Sequence, residues 1–241
     1  MGIACHLATV ALLAFTVLGQ EPVLEVVSLK RNVSGVARGA IRMKPDGIAG
    51  ENVTLRQWIR FAYDLQDAQI VGPDWMADDG FDLEARASGR LSPTEVRTAL
   101  QNVLVNQFKL KVHRASKELR GYRLIVAATG AKLRDPKEEE SFNAALAGRP
   151  PFKKGFAGVF TNKDLPGFAE RLSRGIGRIV IDDTGIKGRY WFQLEWVPDK
   201  GQPGPDGPSL RAAIEEQVGL RLIEADVLSD VLVIDAAERR R

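Results

Sequence analysis

Few side chains in this chain could carry a reaction, and their types set the limits. Among 241 residues there is one cysteine, Cys5, and there are two histidines, His6 and His113. Cys5 and His6 precede an apolar run, Leu7 to Leu18, within a stretch from Met1 to Gly19 that has no charged residue. That stretch reads as a secretory signal peptide, because the run is short of the ~20 residues a spanning helix needs, and an uncleaved anchor is the competing reading because no Lys or Arg precedes the run. After cleavage His113 is the one imidazole. Cysteine nucleophiles, cysteine-clustered zinc sites and two-histidine metalloprotease helices are then excluded. Alternation puts His113 on the polar face of a strand with Lys109 and Lys111, the setting of a surface histidine and not of a poised neutral base. Asp182 and Asp183 with Glu195 are the carboxylates that could serve glycoside chemistry as an acid and a base. The same Asp182-Asp183-Thr184-Gly185 is also good turn chemistry, with Asp capping the backbone and Gly at positive φ, and that reading takes precedence. Asp78-Asp79-Gly80 reads the same way. No catalytic residue, metal ligand or cofactor is assigned.

The elements around these residues follow from periodicity. Residues Asn52 to Ala85 return in weaker form from Asn162 onward: Leu55 matches Leu165, Trp58 matches Phe168 and Ala62 matches Leu172, and after one inserted residue Phe81 matches Phe192 and Leu83 matches Leu194. Leu55, Trp58, Ile59 and Ala62 make the apolar stripe of a helix whose other face carries Arg56, Gln57 and Arg60. Thr54 with Gln57 is a capping box, and Ser92-Pro93-Thr94-Glu95 opens a second helix in the same manner. Period-two alternation predicts strands at Phe81–Ala85 and Tyr190–Trp196. Strands are also expected at Phe108 to Val112 and Tyr122 to Val126, separated by a turn near Glu118 to Gly121, and again at Leu220 to Ile223 and Val227 to Ile234.

This pattern separates the tryptophans. Trp58 has an aromatic counterpart and Trp196 is in phase with Leu194, so both serve the core. Trp75 and Trp191 match Ile186 and Gly80, so the shared pattern does not require a ring at either place, and they are the candidates for binding. Alternation turns Trp191 away from the face of Phe192 and Leu194, where the other module or a partner would cover it.

The expectation is an α+β protein of two tandem related modules, each a small sheet with helices packed on one face in the order β-α-β-β-α-β-β. Its parts are a signal peptide over residues 1–19, a first module over 20–134, a linker over 135–154, a second module over 155–238 and a frayed basic tail over 239–241. The net charge of +3 from 34 basic and 31 acidic side chains is too even for a nucleic-acid surface, which needs its cations gathered on one face.

Nearly the whole mature chain is similar to a family of secreted bacterial proteins described as soil-associated, of unknown function. The segments that carry the similarity are N-V-T-L-R-Q-W-I-R-F-A-Y from Asn52, Q-I-V-G-P-D-W from Gln69, F-K-L-K-V-H-R from Phe108, D-D-T-G-I-K-G-R-Y from Asp182, F-Q-L-E-W from Phe192 and V-L-V-I-D from Val231. Where that family has a carboxylate after the Tyr of G-R-Y, this chain has Trp191. The resemblance implies a periplasmic or secreted compartment and no particular activity. Each half also resembles, in apolar pattern alone, the short N-terminal module of secretins and TonB-dependent receptors, which implies binding to envelope proteins. The resulting expectation is an exported, non-catalytic binding or interaction protein with an envelope protein or cell-wall component as partner, no nucleic acid, and no integral membrane segment after signal cleavage. The alternative is an envelope hydrolase acting on cell-wall sugar or peptide through carboxylates.

Overall fold

The computed structural model describes residues 22–34, 39–138, 156–197 and 207–240. The expected signal peptide, most of the expected linker, most of the Pro/Gly-rich loop after Val197, and Arg241 lie outside them. In chain order the elements are β1 (Glu25–Arg31), β2 (Ile41–Lys44), β3 (Gly47–Thr54), α1 (Leu55–Ala62), β4 (Ile70–Val71), β5 (Gly80–Arg86), α2 (Pro93–Phe108) and β6 (Lys111–Val126). Then follow β7 (Phe156–Lys163), α3 (Leu165–Ile176), β8 (Val180–Asp182), β9 (Tyr190–Trp196), α4 (Leu210–Ala213, running on into a π-helical turn Ile214–Val218) and β10 (Leu220–Ala236). The α+β class is as the sequence predicts.

Local chemistry fixes the helix starts. Thr54 and Gln57 close both halves of the capping box at α1, Ser92 and Glu95 do so at α2, and Asp164 accepts from the Gly167 N–H at α3. Just before α1 and α3 the chain turns through Asn52 and Asn162, each at φ 50°, a region asparagine tolerates better than most residues. Strand β3 is missing from the sequence expectation because Gly47, Ala49 and Gly50 hide its alternation. Those small residues are needed there, since a Cβ on Gly50 would stand 2.8 Å from the Trp58 ring.

The two halves are not closed units in series. Instead of two hairpins, β6 and β10 are single strands of 16 and 17 residues that pair antiparallel along their length, from Val112 with Ile234 to Val126 with Leu220. The polar residues expected to form a turn, Glu118 to Gly121, lie in mid-strand opposite Ala225 to Leu228, with Arg120 paired to Asp226 at 3.4 Å. They are polar because the ribbon leaves one core there and enters the other. Leu232 and Ile234, expected in the second module, belong to the first core with Trp58, Phe81, Leu100 and Phe108. Tyr122 and Leu124, expected in the first, belong to the second core with Phe168, Phe192 and Ile214. Two short parallel strands flank the ribbon, β4 on β10 and β8 on β6. The first lobe adds the antiparallel sheet β1-β5-β3-β2, and the second adds the pair β7-β9.

Of the expected frayed tail, Arg239 and Arg240 are docked. The Glu238 N–H donates to the Phe108 carbonyl at 2.7 Å, Arg239 binds Asp79 at 2.6 Å, and Arg240 binds Gln107 at 2.6 Å. The reason is Asp79, which is 7% exposed and holds two guanidiniums, Arg31 at 2.5 Å and Arg239 at 2.6 Å. A carboxylate so buried needs that compensation. Asp79 is therefore an anchor for both ends of the described chain, and not the turn residue read from the sequence. No helix of the described residues is long and apolar enough to cross a membrane.

Candidate functional site

Each residue singled out in the sequence has a definite place. Trp191 is 6% exposed, so its ring offers little surface to a partner. Its backbone exchanges two hydrogen bonds with Arg134, at 2.9 and 3.1 Å, on the edge of β9 opposite β7. Trp75 is half-buried against the first core, and the Arg239 guanidinium lies 5.9 Å from its ring centre. Both rings thus stand where a segment following a long strand returns to the lobe, Arg134 after β6 and Arg239 after β10. That gives the Trp75 ring an intramolecular role, whereas at Trp191 it is the backbone that holds the returning segment.

The residues considered for hydrolysis do not converge. Asp182 accepts from the Thr184 N–H at 3.1 Å and its hydroxyl at 2.8 Å, with Gly185 at φ +70°, which is the turn read from the sequence. Asp183 pairs with Arg123 at 2.5 Å, and Glu195 accepts from Gln193 at 2.5 Å. His113 is on the surface as expected, its side chain 55% exposed, and its Nδ1 lies 2.8 Å from a carboxylate oxygen of Asp235, a partner in the next strand that alternation within one segment cannot reveal.

Electrostatics point the same way. Asp79, Glu84, Glu95, Glu215 and Glu224 are all held below the usual carboxylate range, chiefly by side-chain hydrogen bonds from Arg239, Lys44, Ser92, Arg221 and Arg211 respectively. For Asp82 burial pulls upward, and the donors Asn32 and Asn52 together with the Lys30 cation outweigh it. Every described carboxylate whose titration is displaced is displaced toward the ionised form, opposite to the shift a general acid needs. Among the described residues no group of three or more His, Cys, Asp or Glu gathers as a metal site would require.

Two of the cavities lie between the lobes. After α1 the chain turns through Asp64 at φ +51°, with the Leu65 N–H returning to the Arg60 carbonyl at 3.0 Å. A left-handed residue with a side chain is strained unless something holds it. Here the Asp64 carboxylate faces Arg97 of α2 at 3.4 Å and Arg174 of α3 at 3.2 Å, so it ties the first lobe to the second. Arg174 also binds Glu170, one turn back on α3, at 2.5 Å. This cross-lobe pair stands between two adjoining cavities of about 520 and 400 Å³ that share Asp64, Gln66 and Arg174. The larger is walled by Ile41, Val53, Phe61 and Leu65, with Gln57 and Arg60 at its polar side. The smaller runs along α3 and β8, past Gln69, Ser173 and Asp182. Volumes of this order suit small ligands. Sequence reading placed Gln57 and Arg60 on the polar face of a helix and had no means of setting that face against α3. The signal available was the charged residue Asp64 just after the apolar stripe ends, where glycine is the usual choice.

A family model described as a protein of unknown function (DUF3738) matches residues 56–237. No curated protein matches the chain. No solved structure matches it either.

Proposed function

The chain belongs to that family of unknown function, and from this premise we propose that it is an exported, non-catalytic binding protein of the periplasm or the surrounding medium, whose ligand occupies the groove between its lobes. The observation that carries the reading is the pair of adjoining cavities astride Asp64 and Arg174, built from both lobes and lined by apolar side chains together with amide and charged groups. The carboxylates tied to arginine, lysine and backbone donors support binding over turnover. Export rests on the charge-free apolar run before Gln20, and the partner is an envelope protein or cell-wall component.

The protein should be recovered from the exported fraction, its intact mass corresponding to loss of Met1 to about Gly19. Native mass spectrometry of that material should show an adduct that Gln66→Trp, which fills the junction of the two cavities, abolishes while the fold is kept. An adduct retained by Gln66→Trp would place the ligand elsewhere. One arrangement favours the alternative, an envelope hydrolase: an aspartate beside Nδ1 orients an imidazole as a base, and His113 with Asp235 has that geometry. Turnover of cell-wall sugar or peptide that disappears in His113→Ala and Asp235→Asn would establish it in place of the binding reading.

A further inference from the structure

Arg60 is the cation in the groove that the fold does not use. One turn earlier on α1, Arg56 is bound to the Asp67 carboxylate at 2.8 Å and to the carbonyls of Asp67 and Ile70. Arg97 faces Asp64, and Arg174 is held between Asp64 and Glu170. Among the described residues the Arg60 guanidinium has no ion pair and no hydrogen bond, yet it lines the larger cavity. Beside it Gln57 spends its carbonyl oxygen on the Thr54 N–H, 2.9 Å away, which leaves its two amide N–H groups as donors. The lining also includes the apolar side chains of Ile41, Val53, Phe61 and Leu65. We infer that this cavity takes a monocarboxylate with an apolar body, its two oxygens on the Arg60 fork and its body against Phe61 and Leu65.

Charge and shape set the class. A guanidinium matches a planar two-oxygen group in a bidentate way that a point cation does not. The lining holds two guanidiniums, Arg60 and Arg174, and one carboxylate, Asp64, so a single negative charge balances it. A dianion such as a phosphate monoester would face Asp64 as well, at a repulsive cost. The volume of about 520 Å³ accepts a medium-chain acid or the C-terminal dipeptide of a longer chain. Both sources present the same chemistry, and the inference rests on the groove being the binding site.

Calorimetric titration of the full chain with decanoate and decanamide, and with N-acetyl-leucyl-leucine and its C-terminal amide, tests this. At least one acid should bind, and its uncharged counterpart should bind at least about tenfold more weakly, the loss expected for a hydrogen bond to a charged group. Arg60→Gln should erase that difference and Arg60→Lys should restore part of it, with the unfolding midpoint unchanged in both. Binding of decanoate alone identifies an aliphatic acid, and binding of the peptide acid alone identifies a peptide terminus. Equal binding of acid and amide, an acid preference that survives Arg60→Gln, or no binding of either acid overturns the inference. In the last case an adduct still lost in Gln66→Trp would leave the groove as the binding site and show its ligand to be of another class.

Discussion

Helix α1 ends by turning through Asp64 at φ +51°, and helix α3 ends by turning through Gly177 at φ +73°. The two lobes run through the same order of main elements, strand, helix, short strand, strand, helix, long strand, yet at this corner one uses the residue that turns most easily and the other a residue that must be held. Asp64 gains partners on α2 and α3, and Gly177 needs none. The contrast recurs elsewhere. The second lobe packs three phenylalanines, Phe160, Phe168 and Phe192, with ring centres 4.8–5.0 Å apart, where the first has Trp58 against Gly50 and the single pair Phe81–Phe108. The first lobe covers the edge of β5 with a strand, β1, and the second meets the free edge of β9 with the bridge at Arg134. Shared order fixes where apolar volume is needed, while each lobe fills that volume, and uses its corners, in its own way.

The largest effect should come from the cores. Phe192→Ala and Trp58→Ala should each cost about 3–5 kcal/mol by denaturant unfolding, as expected for deleting a buried aromatic ring. Because β6 and β10 contribute to both cores, each variant should still unfold in one transition. A second, unshifted transition in either variant would show that the ribbon does not couple the lobes.

Next comes Asp79, which has no equivalent clamp among the described residues of the second lobe. Asp79→Asn should cost about 1.5–3 kcal/mol, the range for hydrogen bonds to a charged group. The Arg239 hydrogen bond, with that of Arg31, lowers the folded pKa. The stabilisation is therefore complete above the unfolded pKa of about 3.9 and is lost as pH falls through the lower folded value. Wild-type unfolding midpoints should drop more steeply than those of Asp79→Asn below about pH 4. Parallel curves would assign the stabilisation to packing instead.

The helix caps should equalise the lobes. Thr54→Ala and Asp164→Ala remove the side-chain acceptor at the starts of α1 and α3, and each should cost about 1 kcal/mol in thermal unfolding. A much larger loss at Thr54 would show that its capping box, absent at Asp164, matters more than the single acceptor the two share. His113→Ala should change stability least, by within ~0.5 kcal/mol, since its pair with Asp235 is exposed.

Local signals were legible in the sequence, and partners distant in sequence were not. Thr54 with Gln57, and Ser92 with Glu95, announce their helices because a cap is decided within four residues. Phe81–Ala85 and Tyr190–Trp196 are read from alternation for the same reason. Gly47 to Gly50 fail as a strand signal because their smallness answers to Trp58 and β5, which only folding brings near. Glu118 to Gly121 look like a turn because a polar interruption in a strand and a loop have the same composition. The groove was hidden for a related reason. Arg60 reads as a solvent-facing helix position, and what brings Arg174 to the same cavity is the pairing of two strands far from either.

That pairing also governs the order in which the molecule can be completed. Asp79 and Arg239 are 160 positions apart, and Leu232 and Ile234 lie in β10, after every element of the second lobe, yet the first lobe is unfinished without them. A growing or threading chain must keep the first core open, with part of Trp58's surroundings missing, until β10 is delivered. Contacts so distant in sequence close slowly, and an open core exposes apolar surface while it waits. Truncation by a dozen residues at the C-terminus should therefore damage the beginning of this protein more than its end.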